Sequence, residues 1–133
     1  MSPEIRLPQV LRGVFFEGRW DREKVWRLPT ATTQCDPCDF LWLLDLPMWS
    51  TVPGEPRFDL APADVLRRLD AYPRHALRIH EADLAYPLDA FHNGSAWVVI
   101  DGYHRLCRHI LEGSPTAPVR LHPETCWAEV RVG

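Results

Sequence analysis

The residues best suited to chemistry in this chain are Asp101-Gly102-Tyr103-His104-Arg105. An apolar, β-branched run over 96–100 precedes them and helical spacing follows over 103–111, which predicts a strand, a tight turn and a helix. Gly102 suits the turn, and Asp101 is predicted to cap the first amides of the helix. Those amides, with donors and charge from His104 and Arg105, favour a bound phosphate or carboxylate. A salt bridge from the two basic residues to a nearby Asp or Glu explains the pattern equally well.

A second group of polar side chains lies within 73–83, which is predicted to be helical. The group consists of Arg74, His75, Arg78, His80, Glu81 and Asp83. In one interpretation it is a solvated helix face with ion pairs. In the other, Arg78 or His80 contacts a substrate while Asp83 orients a basic group.

A third candidate is the carboxylate of Asp45, near the end of the apolar run 40–46. We predict a strand here, because the run is strongly apolar and Pro47 cannot continue a central strand. A carboxylate at a strand end is well placed to line a ligand crevice. Capping of the following turn is an alternative of equal weight.

The segment Val98-Val99-Ile100-Asp101-Gly102-Tyr103-His104-Arg105-Leu106 resembles the signature turn of the ParB-like and sulfiredoxin-like superfamily. In that superfamily a G-x-H-R or G-x-R-R turn at a helix start holds nucleotide phosphates. Asp45-Leu46-Pro47 after an early strand, Tyr86-Pro87-Leu88 and Pro118-Val119-Arg120 occur in the order expected of that fold. The resemblance covers 41–130, so the domain is placed at 41–133 and residues 1–40 are an N-terminal extension.

Differences from better-understood relatives narrow what the resemblance implies. Sulfiredoxin has Cys where this chain has Tyr103, so its sulfinic-acid repair is not expected; Cys107 stands where ParB has an Arg, so a CTP-driven clamp is not implied. The D-G-H-H-R turn of ADP-dependent free serine kinases matches 101–105 at all but one position. This likeness implies ATP or ADP as cofactor and a small-molecule substrate. Phosphoryl transfer would bring Mg²⁺ with the nucleotide, held mainly by phosphates and water with one carboxylate. The likeness also implies an acidic base near the first strand, for which Asp45 is the candidate.

Composition limits the class of protein. A length of 133 residues, 46% of them hydrophobic, fits one folded domain. The net charge of −3 disfavours a nucleic-acid partner. No apolar run suggests a membrane partner and the first ten residues do not resemble a signal peptide, so we expect a cytoplasmic protein. Cys35 and Cys38 form a C-x-x-C pair without a second pair, so a structural turn is preferred to a metal site.

The expected fold class is α+β, with a small mixed sheet, two to four helices and an N-terminal hairpin. The runs 14–17 and 25–28 would form this hairpin, with two edge strands as the alternative. Trp26 in the second run is interpreted as packing, with stacking on a base or substrate as the alternative. Helices are predicted over 59–70 and 73–83, a second hairpin over 86–91 and 96–100 about Asn93-Gly94, and strands over 119–121 and 126–132.

The leading hypothesis is a nucleotide-dependent phosphotransferase acting on a small hydroxylated molecule. A nucleotide-sensing or protein-interaction module without turnover is the alternative, and a DNA-binding or nuclease role is the third. Oligomeric state is left open. The assigned residues are Asp45, Asp101 and His104 for catalysis, Gly102, Tyr103, His104 and Arg105 for the nucleotide, and Arg78, His80 and Asp83 for the substrate, with no metal ligands.

Overall fold

A mixed four-stranded sheet forms the centre of the molecule. The computed structural model describes residues 7–16, 18–52 and 54–132. Its strands are β1 Arg19–Trp20, β2 Thr32–Cys35, β3 Leu88–His92, β4 Trp97–Asp101, β5 Ala117–His122 and β6 Arg131–Val132. The sheet has the order β2-β5-β3-β4, with β3 parallel to β5 and the other pairs antiparallel. Strands β1 and β6 form a separate antiparallel pair. The α+β class is confirmed.

The hairpin of β3 and β4 carries at its far end the turn of residues 101–105, which we call the signature turn. Asn93 closes the hairpin, since its side-chain oxygen accepts hydrogen bonds from the amides of Ser95 and Ala96 at 2.8 Å. Gly94 supplies a positive φ of 97° that a side chain would oppose. The predicted hairpin is therefore confirmed, with both strands ending one residue later than the predicted runs and β3 one residue shorter.

Six α-helical segments lie in the described ranges, against the two to four expected. They are α1 Gln9–Arg12, α2 Arg22–Arg27, α3 Pro62–Arg67, α4 Pro73–Glu81, α5 Tyr103–Glu112 and α6 Trp127–Val130. In the described ranges, 3₁₀ helices also span Pro37–Asp45, Leu69–Ala71 and Glu124–Cys126. Among these described helices none combines the length and apolarity needed to cross a bilayer.

The main core lies between the sheet and helices α3, α4 and α5. Leu106 and Cys107 of α5, Ile79 of α4 and Val65 of α3 are at most 2% exposed and share one cluster with buried residues of the sheet. Their apolar side chains follow helical spacing, so one face of each helix is removed from water. This packing fixes α4 and α5 against each other beside the signature turn.

The predicted strand at 40–46 is wrong, because this segment is the 3₁₀ helix Pro37–Asp45. Asp36 caps it by accepting a hydrogen bond from the amide of Cys38 at 2.9 Å. Phe40, Leu43 and Leu44 are buried while the residues between them are exposed. That spacing of three to four is helical rather than the alternation of a strand.

The predicted N-terminal hairpin is also wrong. Residues 25–27 belong to α2, which Asp21 caps, and β1 pairs with β6 instead. Residues 14–16 form no strand, and Glu17 lies outside the described residues. Strand β2 comes from the expected extension, yet it pairs with β5 in the main sheet.

Two other elements are shorter than predicted. The helix expected over 59–70 is only α3 followed by a 3₁₀ turn, and Arg68 between them has a non-helical conformation. The strand expected over 126–132 is α6 followed by the two residues of β6. Helical backbone there lets Trp127 stack on Phe16, with ring centroids 4.4 Å apart.

Candidate functional site

The signature turn has the predicted form of strand, glycine and helix. Strand β4 ends at Asp101, Gly102 has a φ of 106°, and α5 begins at Tyr103. A Cβ atom on Gly102 would lie 2.8 Å from Leu88 Cδ2 and 3.0 Å from Arg105 Nη2. Glycine is therefore required both by the backbone angle and by the space.

The predicted capping of α5 by Asp101 is wrong. Its N-cap residue is Gly102, and no side chain accepts from the first-turn amides in the described structure. The Asp101 carboxylate instead faces Trp26 Nε1 at 3.4 Å, Arg105 Nη2 at 3.6 Å and Arg22 Nε at 3.9 Å. The amides at the start of α5 thus remain available to a ligand.

A cavity of about 560 Å³ lies in front of this helix start. Its wall brings together the signature residues 101–105 with Arg78 and Asp83, which sequence reasoning assigned to a substrate. Helix α4 places Arg78 there because it packs against α5. The fold therefore joins most of the predicted site in one space.

Two predicted site residues are not part of this cavity. Asp45 is exposed at the end of its 3₁₀ helix and does not line the wall. His80 is exposed on α4 and also lies outside the wall. A side chain two positions from Arg78 on a helix points to a different face.

Arg105 is held at the boundary of the cavity. Its Nη1 donates to the carbonyl of Pro87 at 2.9 Å, and its Nη2 lies 3.6 Å from Asp101, leaving 17% of the side chain exposed. The ion pair predicted with an acidic residue therefore exists, and the partner is Asp101. Arg105 still faces the cavity and a neighbouring one of about 410 Å³.

His104 belongs to a stacked group of three rings. Its Nε2 lies 3.0 Å from Nδ1 of His75, so one nitrogen donates to the other. The Trp49 ring stacks on both imidazoles, with centroid distances of 4.6 Å to His104 and 4.2 Å to His75. Burial, with the charge of Arg78 and the contact with His75, lowers the pKa of His104 to about 3. His104 is therefore neutral near pH 7 and adds no positive charge, contrary to the expectation from sequence.

Tyr103 turns its side chain inward. The hydroxyl group donates to the carbonyl of Val99, and burial raises the pKa of the phenol. Of the groups of Tyr103, the main-chain amide is therefore the one that could bind a nucleotide phosphate, as predicted for this residue.

The formal charges around the cavity balance. Its wall carries Arg22, Arg78 and Arg105 against the acidic residues Glu81, Asp83 and Asp101. Arg78 makes no ion pair with any residue the structure describes. An anion would thus be attracted by the helix amides and Arg78 locally, rather than by an overall positive field.

No residues in the described ranges group as three or more His, Cys, Asp or Glu suited to a metal. Cys35 and Cys38 are free thiols, and burial is the largest cause that raises the pKa of Cys35. Thiolate is the form that binds zinc, so a raised pKa opposes metal binding.

Sequence reasoning missed the roles of His75 and Trp49, and it assigned Trp26 to packing. His75 is 29 residues from His104, and Trp26 is 75 residues from Asp101. Sequence analysis placed His75 in the polar group of the predicted helix 73–83, but the sequence carried no signal for its partner on α5. No family model, no curated protein and no solved structure matches this chain.

Proposed function

We propose that this protein binds the phosphates of ATP or ADP at the start of α5 and transfers a phosphoryl group to a small hydroxylated molecule. The observation that carries the proposal is the uncapped first turn of α5, opening on a cavity of about 560 Å³. Unpaired amides and the positive end of the helix dipole favour an anion at that point. The resemblance of 101–105 to nucleotide-binding turns supports the same proposal.

Two arginines supply the charge that phosphates need. Arg78 has no ion-pair partner in the described structure, and Arg105 is only partly neutralised by Asp101 at 3.6 Å. Charge-assisted contacts from guanidinium groups to phosphate are among the stronger hydrogen bonds in proteins. Phosphoryl transfer depends mainly on such positioning and on neutralisation of phosphate oxygens.

Asp101 and His104 are the candidates to accept the proton of the attacking hydroxyl group. Both line the cavity, and the neutral state of His104 leaves a ring nitrogen able to accept a proton. Asp45 has no part in this proposal, because it lies outside the cavity.

Magnesium would enter with the nucleotide. The carboxylates of Asp83 and Asp101 face the cavity, and the described residues form no cluster of three metal ligands. This donor set fits an ion held mainly by phosphates and water with one protein carboxylate, and it does not fit a resident metal. Such an ion would neutralise phosphate charge during transfer.

A nucleotide-binding module without turnover is the second candidate. It is favoured by the depressed pKa of His104, since a group with a pKa of about 3 is a weak base at neutral pH. In that case there is no phosphoryl acceptor, and the protein signals by whether its nucleotide site is occupied. A cytoplasmic location is part of both proposals, and a DNA-binding or nuclease role is not.

The test is nucleotide binding by calorimetry with ATP and ADP, with and without Mg²⁺, in the parent and in Arg78→Ala. Arg78 makes no described side-chain bond, so its removal should leave the fold intact. We expect a loss of affinity from several-fold to about a hundredfold. Arg67→Ala is the control, because Arg67 is exposed on α3, pairs with Asp64 and does not line the cavity.

Equal affinity in Arg78→Ala and parent, or no nucleotide binding by the parent, would overturn the anion site. Single-turnover reactions with labelled ATP then separate the two candidates. Transfer or hydrolysis of phosphate supports the enzyme, and binding without either supports the module.

A further inference from the structure

A second cavity adjoins the proposed phosphate site and carries features of its own. Its volume is about 410 Å³, and its wall includes Trp26, Tyr86, Pro87 and Arg105. Tyr86 and Arg105 also line the cavity in front of α5, so the two spaces share a boundary. A ligand with an anionic group at the helix start could extend past Arg105 into the second space.

The wall of the second cavity includes two aromatic side chains that are mostly exposed to solvent. Trp26 is 57% exposed and Tyr86 is 64% exposed. Neither makes a ring contact with another aromatic residue in the described structure. Large aromatic rings left in water beside a cavity are characteristic of binding surfaces.

One of these rings is held in position from the phosphate side. Trp26 Nε1 donates to Asp101 Oδ2 at 3.4 Å, and Asp101 lines the first cavity. The main chain behind the ring is fixed too, because Arg120 Nη1 donates to the carbonyls of Val25 and Trp26 at 3.2 and 3.5 Å. A ring fixed in this way loses little further freedom when a planar ligand stacks on it.

The wall of the second cavity also includes Asp89 and Arg120, which belong to a buried polar network that needs no ligand to complete it. Arg120 and Asp89 are 8% and 2% exposed, and Arg120 Nη1 lies 3.3 Å from Asp89 Oδ1. His122 Nε2 also lies 2.8 Å from the same oxygen. Since these charges are paired, the cavity is not a second anion site, and its aromatic wall is what remains for recognition.

We infer that the second cavity is the subsite for the aromatic base of the nucleotide, with Trp26 and Tyr86 as its stacking residues. The inference rests on the proposed function, since the phosphates define where the base can reach. Stacking on aromatic side chains tolerates any base, because every base presents a π face. Stacking on Trp26 and Tyr86 therefore contributes affinity for a nucleotide without selecting which base it carries.

The experiment compares two probes, ADP and inorganic pyrophosphate, by calorimetry at one salt concentration. Pyrophosphate occupies only the site at the start of α5, whereas ADP occupies both. We expect Trp26→Ala and Tyr86→Ala each to weaken ADP binding by about tenfold while pyrophosphate binding changes far less, since neither side chain supplies charge to the phosphates. Tyr86→Ala makes the test robust, because no described side-chain bond is lost with it. Trp42→Ala, which removes an exposed ring outside both cavities, should change neither ligand.

The possible results separate the two proposals. Unchanged ADP affinity in both aromatic variants, or equal affinity of the parent for ADP and pyrophosphate, overturns the base subsite and leaves the anion site standing. Failure of the parent to bind either probe overturns the anion site and the subsite together. If the aromatic variants bind ADP more weakly than the parent but bind pyrophosphate nearly as well, both the anion site and the base subsite are supported.

Discussion

Asp101 has opposing effects on the proposed site. It holds Arg105 at 3.6 Å, approaches Arg22 at 3.9 Å and orients Trp26, so it stabilises the wall of the cavity. The same negative charge repels an incoming phosphate and neutralises the arginines that would attract it. From the sequence, Asp101 was predicted to cap α5, whereas in the structure it pairs with arginines. An Asp directly before a helix can do either, and the sequence does not distinguish the two roles.

Replacing Asp101 by Asn should therefore strengthen binding of pyrophosphate several-fold. The amide side chain can still accept from Trp26, while the repulsive charge is removed. Calorimetry at low ionic strength measures the change, and Asp64→Asn serves as control because Asp64 pairs with Arg67 on α3. Weaker binding in Asp101→Asn would mean that positioning of Arg105 outweighs repulsion.

His104 should make folding sensitive to acid. Its pKa in the folded chain is about 3, below the ordinary value of 6.5, so the unfolded chain binds the proton more readily. The contribution of neutral His104 to the free energy of unfolding is fully present above about pH 6.5 and is lost progressively as the pH falls toward 3. Partial exposure of the ring reduces the size of this effect.

Urea unfolding of the parent and His104→Gln at about pH 7 and pH 5.5 measures this effect. The parent should lose more stability on acidification than the variant, by up to about 1 kcal/mol. Carboxylates titrate mainly below this window, so they contribute little to the difference. Identical pH dependence in the two proteins would contradict the depressed pKa.

Among individual residues, the sequence predicted those that lie together along the chain. Residues 101–105 come together because they are one turn, and Arg78 was found because α4 concentrates polar chemistry. His75, Trp49 and Trp26 were missed as site residues because only tertiary packing brings them to the turn. No local pattern in a sequence encodes which side chains meet across two helices.

At the level of elements, turn chemistry gave better predictions than hydrophobic pattern. Asn93-Gly94 predicted the hairpin and Gly102 predicted the start of α5, and both Gly94 and Gly102 adopt a positive φ. The apolar run 40–46 was taken for a strand because a short run has too few residues to distinguish the two periods. Which apolar residues of 40–46 are exposed to solvent is known only from the folded structure.

Gly102 is the element boundary on which the site depends. Gly102→Ala should destabilise the fold by about 1–3 kcal/mol, because alanine is strained at a φ of 106° and its Cβ meets Leu88 at 2.8 Å. Urea unfolding measures the loss. Gly13→Ala is the matched control, since Gly13 has a φ of −81° and open space around it. Equal stability of the two variants would contradict the geometry of the turn.

Over the whole molecule, one buried arginine joins the N-terminal segment to the sheet. Arg120 on β5 donates to the carbonyls of Val25, Leu28 and Thr30, which lie in α2 and the chain after it. It also pairs with Asp89 on β3. Sequence analysis treated 1–40 as an extension because the family resemblance began at residue 41. Contacts to main-chain carbonyls leave no pattern in a sequence, so nothing there indicated this network.

Arg120→Met should therefore destabilise the protein by about 3–5 kcal/mol, since it leaves several buried carbonyls without their donor and leaves the buried Asp89 carboxylate with His122 as its remaining partner. Hydrogen exchange should rise most in α2, which carries Trp26. Because α2 presents that ring to the second cavity, a folded Arg120→Met chain should lose affinity for ADP and keep its affinity for pyrophosphate. Arg131→Met is the control, because Arg131 is exposed on β6. A loss below about 1 kcal/mol, or exchange that rises uniformly, would show that other contacts hold the segment.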